Sequence, residues 1–336
     1  MERYGISFML ISGASKNGDA DAKKSSSEKT PSSSSASASA SASAAAASAV
    51  AAASATEKTD GEGLHVMTLN ELCHEWTSHN FPAGPNLPKS VETEQQKIAR
   101  NAITDAHILS HRPDAVLLQE VGSDRWEIIC KRFGAEYDAF LVPNQEAATA
   151  LPYKGGCAVL IRRVVMHATA KSCHAIVFKT QRPQSVFLRT AVACVVERDA
   201  NRSYAFVSVH LDGLPTAVGD ELRIAQVCEA VDFARARAPK AAIILGGDFN
   251  QPLETMGPLI KAMELRGMYC VDNKTVTFPE KGHVLDYLFV SDRERAKQAV
   301  PAVYPVVNPA EKRVPPYQWA GWGSDHLALS VRFVHL

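Results

Sequence analysis

Polar side chains that can hold a divalent metal ion or move a proton recur beside apolar segments along this chain. The set comprises Asn70, Glu120, His210, Asp248, Asn250, Asp286, Asp325 and His326. Carboxylate, amide and imidazole groups without a thiolate suit a hard cation such as Mg²⁺ or Mn²⁺ and do not suit structural zinc. Because strand ends meet at one edge of a sheet sandwich, we expect these residues to form a single site.

Each of these residues also has an ordinary structural explanation when it is taken alone. An Asp or Asn at a strand end is commonly a cap or a turn residue, so Gly246-Gly-Asp-Phe-Asn250 could be only a tight turn. A lone His in a strand is more often a hydrogen-bonded core residue. Their joint occurrence favours a catalytic interpretation, and the sequence has no phosphate-binding P-loop, G-x-S-x-G or H-E-x-x-H pattern.

Short apolar strands with a few amphipathic helices must position these residues. Strands are predicted over 65–70, 115–119, 157–161, 192–196, 204–211, 242–245, 284–290 and 327–334. Helices are predicted over 92–109, 220–238 and 254–266, where apolar residues recur at helical spacing. Many strands and few helices indicate the α+β class, with sheets packed face to face and helices outside.

The composition divides the 336-residue chain into two parts. Residues 32–55 are only Ser and Ala apart from Val50 and cannot build a core, so 1–63 is predicted to be a disordered low-complexity tail. Residues 64–336 are then one domain, with 29 acids and 30 bases. This balance argues against a protein that holds nucleic acid by a broad basic surface.

Cysteine spacing and hydropathy predict the compartment. Seven widely spaced cysteines with no C-x-x-C pair indicate reduced thiols in an intracellular protein of the cytoplasm or nucleus. A short apolar stretch after Arg3 leaves an organellar presequence open, although Asp19, Asp21 and Glu28 do not suit an acid-poor presequence. No apolar run approaches the roughly 18 residues of a membrane span. The oligomeric state stays open.

Six short motifs, in order, resemble the endonuclease/exonuclease/phosphatase superfamily. They are Thr-Leu-Asn70, Gln-Glu120, Val-His210-Leu, Gly-Asp248-Phe-Asn250, Leu-Asp286-Tyr and Ser-Asp325-His326. The resemblance covers essentially all of 64–336 and implies a four-layer α/β sandwich with two packed central sheets flanked by helices, and Mg²⁺ at one edge. The gap of about fifty residues before Glu120, and Arg313-Val-Pro-Pro ahead of Ser324-Asp-His, are most similar to the deadenylase/nocturnin branch.

The resemblance also implies roles for the eight residues in hydrolysis of a phosphate ester by water. Metal binding falls to Asn70, Glu120 and Asp325, and catalysis to His210, Asp248, Asn250, Asp286 and His326. In this assignment Asn250 donates to a phosphate oxygen and Asp286 fixes the tautomer of His326. The general base is left open between Asp248 and the His326–Asp286 pair, as is the choice between one and two metal ions.

The substrate does not follow from these motifs, since Asp212-Gly-Leu-Pro stands where nocturnin-like proteins carry a basic residue. A 3′-exoribonuclease of the deadenylase type acting on single-stranded RNA, or a nucleotide phosphatase of the nocturnin type, is favoured. Alternatives are a tyrosyl-DNA phosphodiesterase acting on a single-stranded DNA end, a sphingomyelinase-like or inositol-phosphatase-like lipid hydrolase, and an inactive binding module. Aromatic residues in the surrounding loops could stack on bases or pack beneath the loops: Trp76, Phe81, Tyr153, Tyr317, Trp319 and Trp322.

Overall fold

The computed structural model describes the parts of the chain that carry the predicted site. These are residues 9–10, 63–74, 93–146, 155–166, 172–182, 187–304 and 323–334. The predicted Ser/Ala tail lies outside the described residues, apart from residues 9–10 and Gly63. All six loop aromatic residues and the Arg313 segment lie outside them as well.

Two central sheets, whose strands are numbered here in chain order, form the middle of the fold. The first contains, in spatial order, β1 (Met9–Leu10), β4 (Tyr137–Pro143), β6 (Gly156–Arg162), β3 (Ala115–Gln119), β2 (Gly63–Asn70), β15 (Ala328–Val334) and β14 (Val300–Tyr304). The second contains β12 (Tyr269–Cys270), β13 (Asp286–Val290), β11 (Ala242–Asp248), β10 (Arg202–His210), β9 (Thr190–Asp199) and β7 (Cys173–Val177). A separate pair joins β5 (Gln145–Glu146) to β8 (Phe187–Leu188).

Helices cover the outer faces of both sheets. They are α1 (Glu94–His111), α2 (Ser123–Phe133), α3 (Ala217–Arg237), α4 (Gly257–Glu264) and α5 (Arg293–Gln298). Buried residues of α1 and α2 share one core with the first sheet, whereas α3 and α4 share a second core with the second sheet. The α+β assignment and the four-layer α/β sandwich are therefore confirmed.

Alternation along β10 shows how the sequence produces these layers. Tyr204 and Phe206 belong to the core between the two sheets, while Val207 and Val209 belong to the core under α3. Because successive strand residues point to opposite faces, an unbroken apolar strand can fill both cores. Polar residues at the ends of such strands then lie along one edge of the sandwich.

The predicted helix over 254–266 differs from the structure at its start. A 3₁₀ turn occupies Leu253–Thr255, and α4 begins only at Gly257. Pro258 explains this boundary, since proline suits the first turn of a helix and breaks its interior.

The sequence analysis also missed the helix α2. Its buried face repeats at helical spacing through Trp126, Ile129, Cys130 and Phe133. Gly122 is the N-cap and makes no side-chain hydrogen bond, while Ser123 and Asp124 lie within the first turn. The sequence analysis also did not predict the strands β4, β7, β12 and β14 or the helix α5.

None of the seven cysteines forms a disulfide bond with another described residue, and six of them are buried. Reduced thiols were the predicted state. In the described part of the chain, no helix combines the length and apolar character that a membrane crossing requires.

Buried His65 generates a prediction about stability and pH. Burial, followed by the charges of Arg332 and His111, lowers the pKa of His65 to about 3, and its Nε2 lies 2.6 Å from Ser330 Oγ. A histidine whose folded-state pKa is lowered stabilises the fold above its unfolded pKa of about 6.5 and loses that contribution as the pH falls. His65→Gln removes this titration, so its free energy of unfolding should fall less than that of the wild type between about pH 7.5 and about pH 5.

Urea denaturation at both pH values measures this difference. The variant His283→Gln, at a partly exposed position, should keep the wild-type pH dependence. A wild-type slope in His65→Gln would contradict the assignment.

Candidate active site

The register of the strands brings the predicted residues to one edge of the sandwich. In the first sheet, Asn70 at the end of β2 pairs in parallel with Gln119, the residue before Glu120. In the second sheet, the ends of β10 and β11 are level because His210 pairs with Asp248. Asp248 in turn faces Asp286, the first residue of the antiparallel strand β13.

The side-chain amide of Asn70 joins carboxylates from the two sheets. Its Nδ2 donates to Glu120 Oε1 at 3.0 Å and to Asp248 Oδ2 at 3.1 Å. Its Oδ1 accepts from the backbone N–H of Leu72 at 3.0 Å, which sets the orientation of the amide. The other Glu120 oxygen, Oε2, accepts from Cys73 N at 3.1 Å. Asn70 therefore holds Glu120 and Asp248 on the same amide nitrogen, one from each sheet.

Two imidazoles flank the carboxylates. His210 Nε2 lies 3.5 Å from Asp248 Oδ2 and 3.8 Å from Glu120 Oε1. His326 Nε2 lies 3.7 Å from the same Asp248 oxygen, and His326 Nδ1 lies 2.8 Å from Asp286 Oδ2. Asp248 thus stands between the two rings, and the predicted His326–Asp286 contact is present.

Asn250 and Asp325 complete the edge. The Asn250 backbone N–H donates to Asp248 Oδ1 at 2.8 Å, and its side-chain Nδ2 donates to Leu211 O at 3.1 Å. Ser324 Oγ donates to Asn70 O at 2.6 Å, which ties the segment holding buried Asp325 to the end of β2. All eight predicted site residues therefore lie together.

Burial favours the protonated form of three carboxyl groups at this edge, those of Glu120, Asp248 and Asp325. It raises the pKa of Glu120 and of Asp248, and the charges of Asp248 on Glu120 and of Asp286 on Asp248 raise them further. The pKa of Asp325 rises to about 7, again mainly from burial. A positive charge placed among these groups would favour their ionised forms.

The two imidazoles shift in opposite directions. Burial acts to lower the pKa of His326, but the charges of Asp286 and Asp248 outweigh it and raise that pKa well above its ordinary value. For His210, burial and the charge of Arg189 lower the pKa well below the ordinary value. The surroundings therefore favour the protonated form of the His326 ring and the neutral form of the His210 ring.

A buried amide beneath the site connects the two sheets. Gln119 is fully buried, and its Nε2 donates to Ser208 Oγ of β10 at 2.9 Å, to Thr68 Oγ1 at 3.2 Å and to Leu117 O at 3.1 Å. Ser208 Oγ returns a bond to Leu118 O at 2.9 Å. This polar bridge fixes the sheet separation next to Glu120.

Unusual backbone geometry aims the side chains into the site. Glu120 and Asn250 have positive φ values of 57° and 50°, which non-glycine residues seldom adopt outside functional sites and turns. Gly247, before Asp248, has φ 152°, and a Cβ there would lie 1.9 Å from Val209 O. Only glycine fits at 247, so the sequence Gly-Gly-Asp permits the close approach of β11 to β10.

The donor set fits a hard divalent cation. Asp248, Asp286 and His326 form a buried group whose ligand atoms lie within 4.8 Å of one another. Asp286 Oδ1 is buried without a hydrogen-bond partner among the described residues. Glu120 Oε1 lies 3.8 Å from His210 Nε2, which is itself 3.5 Å from Asp248 Oδ2, so this edge of the sandwich gathers the oxygen and imidazole donors that divalent cations take.

The sequence analysis missed Arg189 as a site residue. Its Nη1 lies 3.0 Å from His210 Nδ1. The signal was weak because Arg189 precedes the predicted strand, but pairing of Ala191 with Val209 places it beside the end of β10. Arg182, bonded to Asp212 Oδ1 at 2.6 Å, supplies a second cation near the loop after His210.

Comparison with known families and sequences gives one match. The model of the Endonuclease/Exonuclease/phosphatase family matches residues 92–326, a range that includes seven of the eight site residues and excludes Asn70. Comparison with curated protein sequences finds no significant match.

Solved structures with the same fold include three of direct interest. The human Nocturnin catalytic domain with bound sulfate is 18% identical with a TM-score of 0.58, covering 82% of this chain and 95% of that one. ANGEL2, a 2′,3′-cyclic phosphatase in complex with adenosine-2′,3′-vanadate, is 14% identical with a TM-score of 0.59 (83% and 98% covered). D. rerio TDP2 with a single-strand DNA product is 14% identical with a TM-score of 0.55 (81% and 98% covered). At these identities the likeness concerns the fold alone.

The Gln119 bridge generates a prediction about stability. Gln119→Leu fills a similar volume but leaves buried Ser208, Thr68 and Leu117 O each short of a bond. Because a buried polar group without its partner costs about 1–3 kcal/mol, the free energy of unfolding should fall by at least that amount. Urea denaturation measures the loss. The exposed Gln298→Leu should stay within about 0.5 kcal/mol of the wild type, and equal stability of both variants would contradict the bridging role.

Proposed function

This chain belongs to the endonuclease/exonuclease/phosphatase family, and we propose that it is a divalent-metal-dependent phosphoesterase. The observation that carries the proposal is the bond of one amide nitrogen, Asn70 Nδ2, to both Glu120 and Asp248. Two largely desolvated carboxylates held together in this way repel each other unless a cation or a proton neutralises them. A divalent ion would supply that charge and make the edge receptive to a phosphate.

The metal-binding residues in this proposal are Glu120, Asn70 and Asp325. Glu120 and Asp325 offer carboxylate oxygens to Mg²⁺, or to Mn²⁺ in its place. Asn70 Oδ1 already accepts from Leu72 N, so Asn70 acts through its second lone pair, through water or by orienting Glu120. The bound ion would neutralise charge on the phosphate and polarise its ester.

The remaining residues orient water and substrate. Asp248 Oδ2 lies 3.5 Å from His210 Nε2 and 3.7 Å from His326 Nε2, a position that suits it to orient or deprotonate the attacking water. One N–H of Asn250 Nδ2 binds Leu211 O, and the other can donate to a phosphate oxygen. The raised pKa of His326 suits it to bind negative charge that develops on the phosphate.

The proposed substrate is single-stranded RNA cleaved from its 3′ end, or a nucleotide phosphate. Support comes from the two motifs similar to the deadenylase/nocturnin branch and from the balanced charge of 64–336, which suits a compact phosphate site better than a duplex. The second candidate is removal of an adduct from a single-stranded DNA end. In either case the reaction takes place in the cytoplasm or nucleus and in the single domain 64–336, and the Ser/Ala tail has no part in the chemistry.

Conservative carboxylate changes test the site. Glu120→Gln and Asp248→Asn keep the shape of the side chain but remove its charge, so each should lower Mg²⁺-dependent hydrolysis by at least about 100-fold. Circular dichroism and the melting temperature should show an intact fold. The exposed Glu127→Gln should retain wild-type activity, and full activity of Glu120→Gln with saturating Mg²⁺ would overturn the assignment.

A substrate panel separates the candidate activities. Poly(A) RNA, 5′-tyrosyl DNA, NADP⁺ and sphingomyelin are each incubated with Mg²⁺ and with a chelator. Chelator-sensitive turnover of poly(A) or NADP⁺ is the expected result. Turnover that survives the chelator would count against the mechanism, and binding without turnover would indicate a binding module.

A further inference from the structure

The hydrogen bond between Arg189 and His210 determines where the imidazole carries its proton. Arg189 Nη1 lies 3.0 Å from His210 Nδ1. A guanidinium only donates hydrogen bonds and stays protonated in proteins. His210 Nδ1 must therefore accept, which places the ring proton on Nε2. That nitrogen is the one directed at Glu120 Oε1 and Asp248 Oδ2.

His326 has the opposite arrangement. Its Nδ1 lies 2.8 Å from Asp286 Oδ2, and an ionised carboxylate only accepts hydrogen bonds. His326 Nδ1 therefore carries a proton, and its Nε2 faces Asp248 Oδ2 at 3.7 Å. In both histidines Nε2 faces Asp248 Oδ2. The partner of Nδ1 is the guanidinium of Arg189 in His210 and the carboxylate of Asp286 in His326.

The backbone of Arg189 is held from both sides by one side chain. Gln181 Oε1 accepts from Arg189 N at 3.0 Å, and Gln181 Nε2 donates to Arg189 O at 3.0 Å. The same Nε2 donates to Phe178 O at 2.8 Å. Glu229 of α3 holds the adjoining turn through Thr180, whose N and Oγ1 donate to its Oε1 at 3.0 and 2.6 Å. Arg189 is thus anchored to the scaffold and not only to His210.

We propose that Arg189 is a positioning residue that keeps His210 as the Nε2–H tautomer, so that His210 donates a hydrogen bond to a phosphoryl oxygen and does not accept a proton. The tautomer assignment stands on the geometry alone, whereas the donation to phosphate rests on the proposed function. If His210 is only a donor, it is not the group that removes the proton from water.

Nitrogen NMR of the full-length protein tests the tautomer without substrate. Long-range ¹H–¹⁵N correlation spectra of ¹⁵N-histidine protein distinguish the two neutral tautomers, and His210→Asn identifies the His210 signals. The wild type should show Nε2–H. Arg189→Gln offers an amide oxygen that can accept from Nδ1–H, so its His210 signal should move toward the Nδ1–H form or a mixture.

Arg182→Gln is the matched control, since it removes a nearby arginine that bonds Asp212 and not His210 Nδ1. Its His210 signal should stay as in the wild type. An Nδ1–H signal in the wild type, or an unchanged Nε2–H signal in Arg189→Gln, would overturn the proposal.

Kinetics with the substrate identified by the panel test the second part of the proposal, the hydrogen bond from His210 to a phosphoryl oxygen. Arg189→Gln should lower kcat by about 10- to 100-fold with a smaller change in KM, because a misdirected donor acts mainly on the transition state. Arg189→Lys, which keeps a donor-only cation, should recover part of the loss. A change in KM alone would reject the role in turnover while leaving the tautomer result intact. If the wild type hydrolyses nothing, the proposed function fails and the NMR result still decides the tautomer.

Discussion

The constraint on which this site depends is a single amide nitrogen that binds two carboxylates from different sheets. Glu120 follows β3 of the first sheet, and Asp248 ends β11 of the second, yet both bind the same nitrogen of Asn70. Loss of hydration raises the pKa of each carboxyl group, and the charge of Asp248 raises the pKa of Glu120 further. Packing in the rest of the fold must therefore hold the two sheets together at this edge against the repulsion between Glu120 and Asp248.

Packing directly below the carboxylates supplies that force. A Cβ at Gly246 would lie 2.4 Å from Leu288 Cδ2 and 3.0 Å from Leu117 Cδ1, so the two sheets pack against a bare backbone there. The amide of Gln119 then spans the gap to Ser208 with a hydrogen bond that apolar side chains could not replace. Apolar contact brings the sheets close, and the polar bridge fixes their separation beside Glu120.

The sequence predicted which residues form the site better than it predicted the contacts between them. Strand ends with carboxylate and imidazole residues were visible as a pattern, and the shared edge follows from parallel pairing. The orientation of Asn70 was not visible, because it depends on the Leu72 N–H after the strand. Arg189 escaped for a related reason: its role depends on the register between β9 and β10, which apolar patterning alone does not fix.

The two histidines show why residue type is not enough to assign a role. Both rings are buried against Asp248, but the group behind His326 is the carboxylate of Asp286 and the group behind His210 is the guanidinium of Arg189. The charges of Asp286 and Asp248 outweigh burial and raise the pKa of His326, whereas burial and the charge of Arg189 lower the pKa of His210. Equal totals of acidic and basic residues hide this arrangement, since 36 of each say nothing about which charge stands behind which ring. The chemistry of the edge therefore depends on Asp286 and Arg189, which lie behind the two rings and would not themselves touch a phosphate.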